Sequence, residues 1–401
     1  MNSGFEVIAS GTATTPDGFS AGAVQSGIKS QGELDLAILY SKVPCVAAGV
    51  FTSNTMKAAP VILSHNNLQD RKAQAVVINS GCANAYTDDR GMADATAMAA
   101  LVANKLLLSA ADVLVASTGV IGVPLPMDNI REGISRITLS QQGGHALAKA
   151  IMTTDTHPKE IALPVKFGED NYIVAGVAKG AGMIHPDFAT MLCFLTTDAV
   201  VVPDFLQTAL QKAVDKSFNM VTVDGDTSPN DMVILLANGL ADNHAINSDN
   251  GQCFQDALDE ICLYLAKCLA RDGEGATKMI EVSVESSLTE SEARLAARTI
   301  ASSPLVKAAM HGNDPNWGRI VAAAGRSKAQ MSEQRLDLCL NGFDIIRQGR
   351  LIAFDEEQLR LSLDSKEVSI KLCLNLGNGK ATAWGCDLSE EYVTINSTYT
   401  T

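Results

Sequence analysis

The stretch Lys179-Gly180-Ala181-Gly182-Met183-Ile184-His185-Pro186-Asp187-Phe188-Ala189-Thr190-Met191-Leu192-Cys193-Phe194-Leu195 runs a glycine-rich loop straight into an apolar strand, with Thr190 at the junction. A threonine hydroxyl attacks an acyl carbon only when a base takes its proton. The most compact base is the threonine's own α-amine, freed when the preceding peptide bond is cut. Such an amine titrates at roughly pH 7.7 to 8, near working pH. Thr190 also reads as a β-branched residue opening a buried strand, and local pattern alone favours that plainer reading.

Acyl transfer passes through a tetrahedral oxyanion, which needs two hydrogen-bond donors aimed at the developing charge. Ser117-Thr118-Gly119, after the apolar run Val113-Leu114-Val115, offers a hydroxyl on Thr118 and a closely approachable backbone at Gly119. The same residues also read as a plain glycine turn closing a strand.

Other motifs fail on their own chemistry. Asp224-Gly225-Asp226-Thr227-Ser228-Pro229-Asn230-Asp231 resembles a calcium loop, but Pro229 stands where glycine is needed and Leu235 where the closing glutamate belongs. The six histidines form no i, i+4 pair and no cysteine pairing of zinc type. A phosphate-binding G-x-x-x-x-G-K-[ST] loop is absent.

The elements that must carry these residues follow from periodicity. Ala75-Val76-Val77-Ile78, Val113-Leu114-Val115 and Tyr172-Ile173-Val174-Ala175-Gly176-Val177 end in Gly, Ser or Asn turns, as strands do. Phe254, Ala257, Leu258, Ile261, Leu265, Cys268 and Leu269 recur at helical spacing, and 205–213 repeats the stripe. After Asp272-Gly273-Glu274-Gly275 the pattern gives a strand from Met279 to Val284, one helix over 291–309, then strands from Arg335 onward. A C-terminal lobe is expected from about residue 281.

Length and composition set the class. At 401 residues and 46% hydrophobic, the chain is long enough for more than one core. A net charge of −14 and no basic run argue against a nucleic-acid partner. Nine scattered cysteines read as reduced core residues. The N-terminal residues lack a signal-peptide pattern, and no apolar run reaches the roughly 18 residues of a membrane helix, so a cytoplasmic protein without membrane contact is expected.

Beyond these readings, Lys-Gly-Ala-Gly-Met-Ile followed by Pro-Asp-Phe-Ala-Thr-Met-Leu resembles the segment at which the glutamate N-acetyltransferase (ornithine acetyltransferase) family cuts itself. The resemblance extends over nearly the whole chain. It includes Asn79-Ser80-Gly81-Cys82-Ala83-Asn84-Ala85, Ser117-Thr118-Gly119-Val120-Ile121-Gly122, Met152-Thr153-Thr154-Asp155-Thr156, Gly312-Asn313-Asp314-Pro315-Asn316-Trp317-Gly318-Arg319 and Tyr392-Val393-Thr394-Ile395-Asn396. Departures are small: Asp187-Phe188 where Asn-Met is frequent, and a Tyr399-Thr400-Thr401 ending where arginine often precedes the last residue.

The resemblance implies cleavage between Ala189 and Thr190, giving an α fragment 1–189 and a β fragment 190–401, with 190–280 completing the catalytic core. It implies Thr190 as nucleophile and Thr118 with Gly119 as oxyanion hole. Thr153, Lys179, Thr190, Glu274, Asn396 and Thr401 would bind N-acetylornithine and glutamate, with Glu274 receiving ornithine's ammonium. By sequence alone Glu274 is also an ordinary surface-turn carboxylate. The implied fold is α/β (α+β), a layered β core sandwiched by helices, similar to N-terminal-nucleophile hydrolases. Two copies of each fragment would assemble. No metal or resident cofactor is implied, and acetyl-CoA is admitted as an acetyl donor. The rivals are a self-processing amidohydrolase or aminopeptidase of the same fold, in which water resolves the acyl-enzyme, and a catalytically silent binding protein centred on 224–231.

Overall fold

The structure is a computed structural model that describes residues 5–29, 32–185 and 191–398. Its strands are β1 (Phe19–Val24), β2 (Leu36–Phe51), β3 (Lys72–Cys82), β4 (Val113–Val120), β5 (Lys159–Phe167), β6 (Asp170–Lys179), β7 (Leu192–Thr197), β8 (Val221–Thr222) and β9 (Met232–Ala237). They continue with β10 (Met279–Ser287), β11 (Asp337–Leu340), β12 (Phe343–Arg347), β13 (Arg350–Leu351), β14 (Glu367–Cys373) and β15 (Gly379–Cys386). The early helices are α1 (Ala59–Asn67), α2 (Asp88–Leu106), α3 (Met127–Arg136), α4 (Gly144–Ile151), α5 (Pro203–Lys216) and α6 (Gln252–Arg271). The later ones are α7 (Glu290–Ala301), α8 (Pro304–His311), α9 (Trp317–Gly325), α10 (Glu356–Ser362) and α11 (Glu390–Thr398).

Two mixed sheets result, ordered β4-β3-β2-β9-β7-β6-β5 with β1 on β2, and β13-β12-β11-β14-β10-β15-β8. This is the expected α/β class. In the first sheet β2 carries Pro44, which has no N–H for the ladder. Its pairing with β3 shifts register between Tyr40 and Cys45, and beyond that point it pairs with β9 from Val46 to Phe51. One long strand thereby joins the two halves of the sheet.

Strand alternation places Val76 and Ile78 in a core with α4, and Ala75 and Val77 in another with α2 and α3. Helix α6 lies between the sheets: Phe254, Leu258, Ile261, Leu265 and Leu269 are buried in one cluster with Cys193 and Leu235 of the first sheet and Ile280 and Val282 of the second. β14 alternates exposed and buried residues, so one face of the second sheet meets solvent.

The single helix expected over 291–309 is two. Pro304 sits in the first turn of α8, where its missing N–H is harmless, whereas mid-helix it would remove a bond and clash with the preceding turn. Thr289 caps α7 by accepting from the Glu292 N–H. The strands after Arg335 are interrupted by α10 and closed by α11, whose first turn carries Glu390 and Glu391 against the positive end of the helix dipole. Among the described residues no helix is long and apolar enough to cross a membrane.

Phe254 is fully buried against Tyr172 and Phe205 at the junction of α6, α5 and the first sheet. Phe254→Ala is expected to lose about 3 to 5 kcal/mol of stability in urea denaturation; a loss below about 1 kcal/mol would show that α6 is not the keystone of this core.

Candidate active site

The sheet registers align Lys179, the last residue of β6, with Leu192, the first of β7, and Leu192 with Met232, the first of β9. At these strand ends, beside the end of β4, lies a cavity of about 220 Å³. Thr118, Gly119, Thr153, Lys179, Glu274 and Asn396, six of the residues singled out from sequence, all line it. Ala189, Thr190 and Thr401 lie outside the described residues. Met191, covalently joined to Thr190, is in the cavity wall.

Thr118 and Gly119 lie within β4 rather than in a turn after it, where pairing with β3 becomes irregular at Gly81 and Cys82, and the pair is held from behind. Gly119 has φ +127°, and a Cβ there would lie 2.4 Å from the Gly81 carbonyl carbon, so the position demands glycine for both conformation and space. The Ser117 hydroxyl donates to Asn79 Oδ1 at 2.6 Å, and Asn79 Nδ2 to the Cys82 carbonyl at 2.8 Å. Asn230 Nδ2 donates to the carbonyls of Ala83 and Ser117 at 2.6 and 2.9 Å. Two buried asparagines therefore fix the pair, a role the sequence reading did not give them.

Glu274 is 7% exposed, which rules out the surface-turn reading. Its N–H donates to the Ala181 carbonyl at 2.8 Å, and its Oε2 accepts from Asn396 Nδ2 of α11 at 2.8 Å. Gly182 makes room: a Cβ there would stand 2.4 Å from the Glu274 carboxyl carbon. One turn before Asn396 on α11, Tyr392 also lines the cavity and bonds Asp224 through its hydroxyl. Asp224 accepts the N–H groups of Met183 and Ile184 at 2.5 and 2.9 Å. Burial raises its carboxyl above the usual range, partly offset by these bonds. The run 224–231 that imitates a calcium loop is thus a wall of this cavity, with Asp224, Asp226, Ser228, Asn230 and Asp231 on it. A carboxylate placed directly before the apolar run Met232 to Ala237 was the available signal for Asp231, since such a position leaves it little water.

Lys179 donates to Thr153 Oγ1 at 2.8 Å and Thr118 Oγ1 at 3.3 Å, with Asp155 Oδ2 at 3.9 Å. Burial lowers this ammonium below its ordinary value, against the opposing pull of Asp155. Asp155 also accepts from the Gly180 N–H at 2.7 Å and from Lys159 Nζ at 2.6 Å, and Lys159 reaches Asp272 at 2.6 Å. Burial alone would push the Asp155 carboxyl up, but Lys179, Lys159 and the Gly180 N–H overcome it and hold it at about 2. Removing one partner of a buried ion network strands the others, so Asp155→Asn should cost about 3 to 5 kcal/mol at neutral pH by urea denaturation. Because the folded value lies below the ordinary 3.8, this contribution is full above pH 3.8 and fades as pH falls towards 2. The gap between wild type and Asp155→Asn should narrow over that interval, and a gap independent of pH would contradict the assignment.

The ArgJ family profile matches residues 20–401. The chain is 54% identical over 405 residues to the arginine biosynthesis bifunctional protein ArgJ of Dehalococcoides mccartyi (strain CBDB1), covering 100% of both chains. It is 51% identical to that of Symbiobacterium thermophilum, over 98% of this chain and 99% of that one. Among solved structures, the arginine biosynthesis bifunctional protein of Bacillus halodurans is similar at 43% identity and a TM-score of 0.51, over 52% of this chain and 100% of that chain. With the profile spanning almost its full length and relatives this close, the chain belongs to the ArgJ family.

Proposed function

We propose that the chain moves the acetyl group of N2-acetyl-L-ornithine to L-glutamate through an acetyl ester on Thr190, having first cut itself between Ala189 and Thr190. Family membership gives the coarser statement, that it is an acyltransferase of arginine biosynthesis. The finer reading rests on one observation: a hydroxyl-and-amide pair, a buried ammonium beside it and a buried carboxylate braced by an amide share one cavity.

In this reading Thr190 Oγ1 attacks the acetyl carbon, and its proton passes to the α-amine and then to ornithine's departing nitrogen. The Gly119 N–H and Thr118 hydroxyl receive the oxyanion. Because Thr118 Oγ1 accepts from Lys179, its own hydrogen is left to donate, and the ammonium strengthens that donation. Each such donor supplies roughly 3 to 4 kcal/mol to the transition state. Lys179 and Thr153 meet a substrate carboxylate, Glu274 and Asn396 meet ornithine's ammonium, and Thr401 completes the pocket. Glutamate's amine then attacks the ester, releasing N-acetylglutamate and restoring the hydroxyl. Acetyl-CoA, if used, would form the same ester.

Self-cleavage draws support from the solved Bacillus halodurans chain, whose whole length aligns within 52% of this one, much as a fragment beginning at Thr190 would. We further read the mature enzyme as a cytoplasmic assembly of two copies of each fragment.

The test compares purified wild type and Thr190→Ala with N-acetylornithine, glutamate and no acetyl-CoA. Wild type should form ornithine and N-acetylglutamate in equal amounts, and Thr190→Ala neither. Ornithine without N-acetylglutamate would assign a hydrolase instead. Glu274→Gln should raise KM for N-acetylornithine about tenfold or more, since a hydrogen bond between charged groups contributes about 1.5 to 3 kcal/mol; an unchanged KM would remove Glu274 from the ammonium site.

A further inference from the structure

One buried acid of the cavity has no part in acetyl transfer as described. Asp231, directly before β9, is 3% exposed and lines the cavity. Its carboxyl accepts from Ser228 and from the Met191 N–H, and the Lys179 ammonium faces it from β6. Its Oδ2 is buried and has no hydrogen-bond partner among the described residues. Folded proteins satisfy the great majority of such atoms, so one left unmet in the wall of a reactive cavity calls for a reason, and a catalytic role is one.

The position of this carboxyl is informative. Parallel pairing sets β9 beside β7, and the Met232 N–H donates to the Met191 carbonyl at 3.0 Å. The N–H that Asp231 holds belongs to the peptide unit joining Thr190 to Met191. Burial pushes the carboxyl well above the ordinary carboxylate range, with Ser228 and Lys179 only partly opposing it. Burial thus favours its protonated form, which has a proton on one oxygen and a lone pair on the other.

Before cleavage, the nitrogen of Thr190 is an amide and cannot serve as a base. Self-cleavage needs a proton carrier that acetyl transfer, with its free α-amine, does not.

We propose that Asp231 is the acid–base group of self-cleavage, an inference that rests on Thr190 being the residue at which the chain cuts itself. Thr190 Oγ1 bonds to the Ala189 carbonyl carbon while the proton-free oxygen of Asp231 takes the hydroxyl proton. The other oxygen gives its proton to the Thr190 nitrogen as the carbon–nitrogen bond breaks. The carboxyl ends with one proton, as it began, and the products are an ester on Thr190 and a free α-amine. Solvent water hydrolyses the ester, yielding the Ala189 carboxylate and the restored hydroxyl.

Asp231→Asn keeps the size of the group and an acceptor for the Met191 N–H but cannot exchange a proton. Wild type, Asp231→Asn, Asp231→Glu and Thr190→Ala would be made by cell-free synthesis and followed by intact mass under denaturing conditions. Wild type should give fragments 1–189 and 190–401, and Thr190→Ala should stay whole. Asp231→Asn should cleave at least about 100-fold more slowly, the usual scale of general acid–base catalysis, and Asp231→Glu should recover part of the rate. The wild-type rate should fall as rising pH removes the carboxyl proton, and the residual Asp231→Asn rate should lack that step. Lys179, Asp224, Asp226 and Glu274 also face the cavity and remain in every variant, so a step kept by Asp231→Asn would be theirs and would overturn the proposal. Cleavage of Asp231→Asn at the wild-type rate would overturn it too, as would a slow Asp231→Asn with an unaltered pH profile. A wild type that stays whole would instead remove the self-cleavage reading beneath it.

Discussion

Lys159 is 1% exposed, and its ammonium lies 2.6 Å from both Asp155 and Asp272. Alone, a buried ammonium would be too costly to keep, and two carboxylates around it are tolerable only because Lys179 supplies the second positive charge. The four groups balance in charge and tie together the 152–156 segment, the start of β5, the end of β6 and the residue following α6. Glu274 lies two residues beyond Asp272, and Thr153 two before Asp155, so the network sets the two ends of the cavity relative to each other. Catalytic groups act only when held in place before the reaction, and this interior of fixed charges is what holds them.

The cavity's charge differs from a simple count of its side chains. Among the described residues, four carboxyl groups, on Asp224, Asp226, Asp231 and Glu274, share the wall with the single ammonium of Lys179. Burial raises the Asp224 and, more strongly, the Asp231 carboxyl above the usual carboxylate range. In the proposed reading the wall separates functions: Lys179 lies beside Thr118 and Gly119, where the oxyanion would form, and Glu274 with Asn396 where a substrate cation would be met. An amphoteric amino-acid substrate fits such a division, whereas the chain's formal net charge of −14 indicates nothing about it.

Much of the fold was legible because the deciding signals are local. Hydrophobic spacing located α6 and the strand from Met279, and Gly119 marked a position that tolerates no Cβ. Pro304 was also visible, but helical periodicity on both sides masked the break it causes. The cavity wall was legible in part, since Thr118, Lys179 and Glu274, chosen for the chemistry their side chains could do, line it. It was not legible where a residue acts by holding another: Asn79, Asn230, Asp155 and Lys159 each also hold a partner distant in sequence, Ser117, Ala83, Gly180 and Asp272 respectively, and no short-range pattern distinguishes them from ordinary polar residues. Asp231 was hidden by the resemblance of its loop to a calcium site.

The central claim is that the acetyl group rests on Thr190 between donor and acceptor. The most direct measurement mixes the enzyme with N-acetylornithine in the absence of glutamate, quenches in acid within the first turnover, and maps the mass of the fragment beginning at Thr190. The account predicts one added acetyl group, located on Thr190, that disappears when glutamate is added before the quench. A fragment that stays unmodified while ornithine is released, or an acetyl group found on another residue, would contradict it.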